Sequence, residues 1–399
     1  MFLLTILTIF IFLLGFVENY DHQKRVRKIP IRIHVNGTRG KSTTVRLIAA
    51  VLRESGYHVL AKTTGTTPRI ILENGEEETL IRRGVANIIE QKHFIKIAVQ
   101  KGVDAIVVEC MAVHPETQFI SEHRLIQSTI GVITNVREDH QDIYGPFLKD
   151  AAEALKLTIP KNSVLITSEK TFFPIFQKEA RKLNTQCILV EPEKITVDQV
   201  NDDSENFFFK ENVAITLWVG QFLGIKKENI IRGIQKANPD PGALSIYQIK
   251  KRDKLLWFIN AYAANDRESI LLIDQKINQF LSTKMLDATK IAIINYRDDR
   301  ITRTIQFNKI ISQDLIFNYI MLAGSFSQLS KKYLIHHGYP PEKINLIKDR
   351  ETVSQVIEKV FQFIEKDGLV YGLGNTRGFG LTIMEYLKEK GEKIWFTKQ

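Results

Sequence analysis

The chain has 399 residues, of which 44% are apolar and 25% charged. This is the composition of a globular protein with room for two or three domains, and it excludes a disordered chain. The formal net charge is +10, but the basic residues form no stripe interleaved with aromatic residues, so we do not expect nucleic-acid binding. The one basic cluster comprises Lys24, Arg25, Arg27 and Lys28.

The first predicted element is an apolar helix. Residues 1–17 read MFLLTILTIFIFLLGFV, without a charge or a polar helical face, which disfavours a buried core helix. No basic residue precedes the apolar run and no cleavage pattern follows it, which disfavours a signal peptide. We therefore predict a membrane anchor over residues 1–18 and a basic juxtamembrane segment over residues 19–28. From the positive-inside rule we expect a single-pass protein of the cell membrane with a cytoplasmic body.

From residue 29 to residue 238, short apolar runs alternate with helical patterns, which is typical of a parallel sheet covered on both faces. The predicted strands are Ile31–Val35, Val59–Thr63, Ala105–Glu109, Gly131–Asn135, Val164–Thr167 and Cys187–Val190. The predicted helices are Thr43–Ser55, Gly84–Lys101, Phe147–Leu157, Phe208–Leu223 and Glu228–Ala237.

Residues 238–242 read NPDPG and mark the clearest break in the chain, because two prolines and a glycine end any helix. A second alternating series follows. Its predicted strands are Leu255–Ile259, Ile291–Asn295, Tyr319–Leu322 and Leu369–Tyr371. The sequence therefore predicts an α/β protein with a larger domain over residues 29–238 and a second α/β domain over residues 239–399.

The first strand of the body leads into a helix through a glycine-containing loop. Such a junction presents backbone N–H groups and the positive end of the helix dipole, and it therefore favours phosphate binding. Lys41 would reach the β- and γ-phosphates, and Ser42 would offer its hydroxyl to Mg²⁺. The alternative is a simple glycine turn with a solvated lysine. The predicted nucleotide-binding residues are Gly37, Thr38, Arg39, Gly40, Lys41, Ser42 and Thr43.

The short loop and two later segments resemble the Mur ligase family. Residues 108–113 read VECMAV and place Glu109 at the end of a predicted buried strand. Residues 134–145 read TNVREDHQDIYG and resemble the family's T-N-x-x-x-D-H-x-D-x-x-G segment. The resemblance implies a P-loop central domain with a parallel sheet, followed by a smaller Rossmann-like C-terminal domain.

The same resemblance implies ATP and Mg²⁺ as cofactors. It implies that Ser42, Glu109 and His140 bind Mg²⁺, with His140 as a ligand of a second Mg²⁺. Hard oxygen ligands suit this cation, and two metals can neutralise the triphosphate and the forming acyl phosphate. Lys41, Glu109 and His140 are the implied catalytic residues. Many members of the family carry a carbamylated lysine, which we do not assign in this chain.

Over nearly its full length the chain most resembles the ligase subunits of poly-γ-glutamate synthases (PgsB/CapB type). The matching segments are His22–Lys24, Asn36–Thr43, Lys62–Thr66, Glu109–Val113, Asn135–Asp142, Pro239–Ala243, Ala263–Asp266, Arg297–Arg303 and Tyr371–Asn375. This resemblance implies an ATP-dependent amide ligase that activates a glutamate carboxylate, of the chain end or of a monomer, as an acyl phosphate and forms γ-glutamyl amide bonds. The implied partners are glutamate, γ-linked polyglutamate and small integral-membrane subunits of a synthase and export complex.

The second domain departs from the wider family. Pro241, Gly242 and Ala243 stand where Mur ligases usually have P-G-R, so the usual nucleotide-binding arginine is missing there. Asn260 could still hydrogen-bond a ribose.

Arginines are the candidate substrate ligands of this domain, because an arginine can bind a carboxylate through two hydrogen bonds. The three candidates are Arg297, Arg300 and Arg303, and the alternative is a solvated helix start with internal ion pairs. Two other functions are left open at this point: another Mur-type ligase, acting on folylpolyglutamate or peptidoglycan precursors, and a non-enzymatic nucleotide-binding membrane module.

Overall fold

The computed structural model describes residues 2–65, 68–82, 84, 86–194, 209–240, 244–264, 266–283 and 288–394. These fall into two compact units, residues 1–239 and 240–399.

The first unit is built on a mostly parallel sheet. Its strands are β1 (Ile31–Asn36), β2 (Val59–Thr63), β3 (Arg69–Ile71), β4 (Glu77–Thr79), β5 (Ala105–Glu109), β6 (Ile130–Ile133), β7 (Val164–Thr167) and β8 (Gln186–Leu189). Within the described residues the sheet has eight strands in the order β4-β3-β2-β5-β1-β6-β7-β8. β2, β5, β1, β6, β7 and β8 are parallel, whereas β3 and β4 form an antiparallel hairpin at the edge.

Helices cover both faces of this sheet. They are α1 (Phe2–Arg27), α2 (Lys41–Glu54), α3 (Glu90–Lys101), α4 (Pro115–Ile120), α5 (Gln141–Tyr144), α6 (Leu148–Leu155), α7 (Phe173–Lys182), α8 (Lys210–Phe222) and α9 (Lys227–Gln235). α2 and α8 pack on the face that carries Ile33 and Val35, and α3 packs on the face that carries Ile106 and Val108. Because both faces are covered, β5 is buried at every position, as its unbroken apolar run predicts.

α1 is long and apolar enough to cross a membrane. Its most apolar 18-residue window has a mean hydropathy of 2.2 and no buried part. The C-terminal part of the same helix is different, because His22 and Val26 are buried against the first unit. The structure therefore contains the predicted apolar helix and continues it into the body.

The second unit is a smaller α/β sandwich. Its strands are β9 (Ser245–Lys251), β10 (Lys254–Asn260), β11 (Thr289–Tyr296), β12 (Tyr319–Gly324), β13 (Ile344–Leu346), β14 (Asp367–Gly374) and β15 (Glu392–Ile394). Its helices are α10 (Arg267–Thr283), α11 (Ile301–Gln313), α12 (Ser327–His336), α13 (Val353–Phe363) and α14 (Phe379–Lys390). The described strands are ordered β13-β12-β11-β14-β10-β9-β15; β13 to β10 are parallel, β9 is antiparallel to β10, and β15 is antiparallel to β9.

The predicted α/β fold is confirmed, with three local differences. The hairpin of β3 and β4 was not predicted, because strands of three residues are too short to show a period, although Asn74-Gly75 is a hairpin turn signal. The helix predicted from Gly84 begins at Glu90, since Asn87 accepts a hydrogen bond from the backbone N–H of Ile89 at 3.0 Å and so favours a turn.

The third difference is that the sequence pattern did not reveal β9, β13 and β15 of the second sheet. Pro241 to Ala243, and Phe208 at the start of one predicted helix, lie outside the described residues.

Candidate active site

The loop between β1 and α2 requires glycine at two positions. Gly37 has a φ of 125°, and a Cβ there would lie 2.1 Å from Thr134 Oγ1. Gly40 has a φ of 79°, and its Cβ would lie 2.4 Å from Asn212 Oδ1. Both the backbone angles and the close neighbours exclude a larger residue. The loop is thus a tight turn at the N-terminus of α2, where Gly40 provides no side-chain cap.

The segment after β6 holds this loop in place. Asn135 accepts the backbone N–H of Thr38 on its carbonyl oxygen and that of Arg39 on its side-chain oxygen, both at 3.0 Å. The Thr134 hydroxyl donates to the Arg39 carbonyl oxygen at 2.6 Å. Sequence analysis placed Thr134 and Asn135 in a family segment without a role of their own, and the structure shows them bracing the loop.

Ser42 and Glu109, which the sequence places 67 positions apart, are in direct contact. The Ser42 hydroxyl donates to Glu109 Oε2 at 2.8 Å. Glu109 ends β5, which lies beside β1, so its carboxylate comes to the loop through the pairing of these strands. The same Oε2 accepts the backbone N–H of Thr64 at 2.7 Å, and Glu109 is only 4% exposed. A hydroxyl and a carboxylate are therefore fixed side by side at the start of α2.

Lys41 lies over the loop that precedes it. Its ammonium donates to the carbonyl oxygens of Gly37 at 2.7 Å and Thr38 at 3.2 Å. The positive charge is thus at the glycine turn, next to the N-terminus of α2, and both features attract an anion.

His140 reaches the loop through its neighbour in sequence. Asp139 binds Arg39 of the loop at 2.8 Å, and His140 Nε2 lies 3.9 Å from Asp139 Oδ2. His140 itself has a left-handed backbone with a φ of 47°. The structure therefore places His140 near the loop on the segment after β6, whereas Ser42 and Glu109 touch directly.

A buried lysine beside the loop was not assigned a role by sequence analysis. Lys62, in β2, is 1% exposed, and its Nζ lies 3.1 Å from Glu90 Oε2 and 3.3 Å from Gln91 Oε1. Burial lowers the pKa of Lys62, and the Glu90 carboxylate only partly offsets this effect. The signal in the sequence was the family segment that begins at Lys62, but only the fold shows that the side chain turns inward toward α3.

The remaining predicted residues lie in the second unit. Asn260 ends β10 and is 1% exposed; its amide donates to Ser245 Oγ at 3.2 Å, and its side-chain oxygen accepts the backbone N–H of Tyr262 at 3.4 Å. These contacts hold Asn260 within the unit, and its contact with a ribose stays a prediction.

The three candidate arginines are in different settings. Arg297 follows β11 and lines a cavity of about 880 Å³ at the carboxyl ends of β11, β12 and β14; it also pairs with Asp299 at 2.6 Å, an ion pair within the segment of the kind that the alternative interpretation expects. Arg300 is the N-cap residue of α11, and Arg303 is in its first turn.

The cavity lining carries both signs of charge. Its charged residues are Arg297, Asp298, Lys348, Asp349, Glu351, Arg377, Glu385 and Glu389. Such a lining suits a small ligand with both a carboxylate and an amino group better than a purely anionic one.

Two family models match the chain. Residues 35–221 match the Mur ligase middle domain, and residues 246–390 match the C-terminal domain of poly-gamma-glutamate synthase CapB. The chain is 35% identical over 394 residues to the PGA synthase CapB of Bacillus subtilis (strain 168), with 98% of each chain covered. It is 34% identical over 391 residues to the capsule biosynthesis protein CapB of Bacillus anthracis, covering 98% of this chain and 83% of that one.

Solved structures share the fold at much lower sequence identity. A bifunctional folylpolyglutamate synthase/dihydrofolate synthase from Yersinia pestis, complexed with AMPPNP and a Mn ion, has a TM-score of 0.66 at 14% identity, covering 93% of this chain and 91% of that one. MurF from Acinetobacter baumannii has a TM-score of 0.65 at 16% identity, covering 94% and 80%. The architecture described above is therefore shared by these two ligases.

Proposed function

Because the chain belongs to the Mur ligase family, and within it to the CapB-type poly-γ-glutamate synthases, we propose that it extends a γ-linked glutamate polymer. Family membership makes it an ATP-dependent amide ligase. The observation that carries the proposal is the contact between Ser42 and Glu109 beside Lys41, at the junction of β1 and α2. The relatives that match this chain over 98% of its length favour the polymer over folate or peptidoglycan precursors as the acceptor.

The phosphates of ATP would bind at the loop from Gly37 to Thr43. The N–H groups at the start of α2 and the Lys41 ammonium supply positive charge there. Thr134 and Asn135 keep the loop in a binding geometry, so little conformational freedom is lost when the nucleotide binds.

The residues present also fit Mg²⁺. The Ser42 hydroxyl and the Glu109 carboxylate lie 2.8 Å apart, and we propose that they hold one Mg²⁺ and that His140 is a ligand of a second. No group of three or more His, Cys, Asp or Glu in the described parts of the chain could hold a metal alone. Mg²⁺ usually keeps several waters and takes phosphate oxygens as ligands, so it needs only one or two ligands from the protein. When bound, Mg²⁺ would neutralise charge on the triphosphate.

The proposed reaction has two steps. A glutamate carboxylate oxygen attacks the γ-phosphorus, the bond to the bridging oxygen breaks, and ADP leaves an acyl phosphate behind. The amine of the incoming partner then attacks the acyl carbon, loses a proton and displaces phosphate. Lys41 and the loop N–H groups would stabilise the charge that develops during phosphoryl transfer. Positioning of the reactants and electrostatic stabilisation would then account for most of the rate enhancement.

The exposed apolar part of α1 supports a membrane anchor. Residues 2–17 are long enough to cross a thin bilayer core and have no charged side chain. We propose a single-pass protein with its catalytic body in the cytoplasm, working beside small integral-membrane subunits that receive the polymer.

The proposal is tested with the full-length chain in detergent or lipid, supplied with ATP, Mg²⁺ and glutamate. We expect ADP, phosphate and a γ-linked product. Lys41→Ala should abolish product formation in a protein that still unfolds cooperatively, because the partly buried Lys41 ammonium donates to carbonyl oxygens of the loop and, among the described residues, to no core side chain. Full activity in this folded variant would contradict the assignment of the phosphate loop.

We propose that the cavity in the second unit binds the glutamate that is joined, with Arg297 on its carboxylate. Arg297→Ala should raise the KM for glutamate by roughly 10- to 100-fold, the effect of losing a charged hydrogen bond of about 1.5–3 kcal/mol. Arg303→Ala, in the first turn of α11, is the matched control and should change the KM little. Equal effects of the two substitutions would contradict the role of the cavity.

A further inference from the structure

α1 is attached to the first unit over its last ten residues and leaves it as an uninterrupted helix. His22 is 2% exposed, and its Nε2 lies 2.9 Å from the Leu125 carbonyl oxygen. Gln23 Nε2 donates to the Arg124 carbonyl oxygen at 3.0 Å, and Val26 is fully buried in the core. Because the helix has no break between its docked and exposed parts, the direction of the exposed part is set by the body.

The docked part begins level with the carboxyl end of the sheet. Glu18, the first charged residue after the apolar stretch, pairs with Lys92 in the first turn of α3 at 2.9 Å. That turn also contacts the carboxyl ends of two strands: Glu90 binds Lys62 near the end of β2, and Gln91 Nε2 donates to the carbonyl oxygen of Glu109, the last residue of β5, at 3.5 Å.

The other end of α1 lies at the amino end of the same sheet. Arg32, near the start of β1, donates through Nη1 to the Ile29 carbonyl oxygen at 2.6 Å, and Ile29 is buried. From Glu18 to Arg27 the helix rises about 14 Å, comparable to the length of a six-residue strand. α1 therefore runs antiparallel to β1, and residues 2–17 project beyond the carboxyl end of the sheet.

We infer that α1 holds the carboxyl end of the first sheet against the lipid surface, so that the phosphate loop and Glu109 face the membrane. The inference rests on the proposed membrane anchor and adds its orientation. The basic residues near Arg27 then lie about 10–15 Å beyond Val17 along the helix, on the side of the first unit that faces away from the membrane. Because the Debye length is about 10 Å, their attraction to the headgroups is weakened there.

Exposed apolar side chains at this end fit a lipid surface. Ile81 and Ile89 precede α3 and are 86% and 60% exposed. Tyr20, one turn beyond the apolar stretch, is 63% exposed at the level where aromatic residues meet headgroups. The occupant of this end is therefore the bilayer that α1 enters, and the polymer would be formed next to the membrane that it has to cross.

The orientation is tested with fluorescent labels on the full-length chain in phosphatidylcholine vesicles that contain a headgroup spin label. One label is placed at the carboxyl end through Ile89→Cys and the other at the amino end through Lys161→Cys, each in a Cys187→Ser background. Both positions are exposed, and Cys110 is buried. We expect the label at position 89 to be quenched several-fold more strongly than the label at position 161.

A flexible glycine–serine insertion between Val17 and Glu18 provides the control. It should leave the chain in the vesicle fraction and make the quenching of the two labels similar. Equal quenching without the insertion, with the chain still in the vesicles, would overturn the orientation and leave the anchor intact. A chain that does not sediment with vesicles would overturn the anchor itself.

Discussion

Gly37 shows how single residues decide the geometry of the phosphate loop. Its positive φ and the absence of a side chain let the loop pass against Thr134, whose hydroxyl then binds the Arg39 carbonyl oxygen. The position of the Glu109 carboxylate also depends on its neighbours. It is buried, and its Oε2 accepts hydrogen bonds from the Ser42 hydroxyl and the Thr64 backbone N–H. These two donors fix the Glu109 carboxylate beside the loop, where a cation bound to the phosphates could reach it.

Replacing Gly37 by alanine should cost more than the backbone angle alone. A non-glycine residue at positive φ costs about 1–2 kcal/mol. Gly56→Ala is the matched control, because Gly56 has a φ of 89° and open space around it. We expect Gly56→Ala to lower the unfolding free energy by that amount only. Gly37→Ala should lower it further and abolish the increase in unfolding temperature that ATP produces.

Both quantities can be measured by thermal unfolding of the full-length chain with and without ATP. The interpretation of the loop would be wrong if Gly37→Ala retained the full ATP-induced shift.

Among the helices, α2 connects the phosphate loop to the core, and α9 packs closely against it. Gly233 of α9 lies so close to α2 that a Cβ would be 2.5 Å from the Cα of Val51. A backbone atom cannot rotate away as a side chain can, so this glycine sets the spacing between the two helices. The position of α2, and with it that of Lys41 and Ser42, depends on this contact.

Gly233→Ala should therefore destabilise the protein although alanine is the better helix former. The gain in helix propensity is about 1 kcal/mol, whereas overpacking costs about 1–3 kcal/mol and can exceed it. We expect a lower unfolding temperature, measured on the full-length chain. Glu228→Ala, at an exposed position of the same helix, should change the free energy by less than about 0.5 kcal/mol. An increase in stability for Gly233→Ala would show that α2 and α9 can move apart without a loss of unfolding free energy, and would contradict this interpretation.

At the scale of the whole molecule, α1 has two parts with different surroundings. Its first part is exposed and apolar, and its second part contributes Val26 to the cluster that also contains Ile29, Leu60 and Phe94. The same helix is thus the proposed anchor and a piece of the first unit's core. The second unit has its own sheet and its own core, centred on Phe258 and Val370.

Two truncations separate these roles of α1. Removal of residues 2–17 should release the chain from the membrane fraction and leave its unfolding temperature and ATP-induced shift unchanged. Removal of residues 2–29 also takes away Val26 and Ile29, each fully buried, and should cost about 3–6 kcal/mol of unfolding free energy. Fractionation and thermal unfolding measure the two outcomes. Retention of the shorter truncation in membranes would contradict the anchor.

The sequence by itself determined the α/β class, the apolar helix, the glycine loop and the strand that ends in Glu109. These features are local, since they depend on hydrophobic periods and on glycines within a few positions of one another. Several site residues could be named for the same reason, although their roles came from the family resemblance. Very short strands such as β3 and the start of α3 at Glu90 were missed, because a three-residue strand has no measurable period and a single turn can outweigh a helical pattern.

Only the tertiary structure decided which distant side chains meet. The contact of Ser42 with Glu109 depends on the pairing of β1 with β5, and the burial of Lys62 against Glu90 depends on the packing of α3. The direction of the apolar helix was decided in the same way, by the ion pair of Glu18 with Lys92 and by Val26 in the core. Contacts of this kind form because helices and strands that are distant in sequence pack together to bury apolar surface. A short stretch of neighbouring residues carries no information about which distant elements will pack against it.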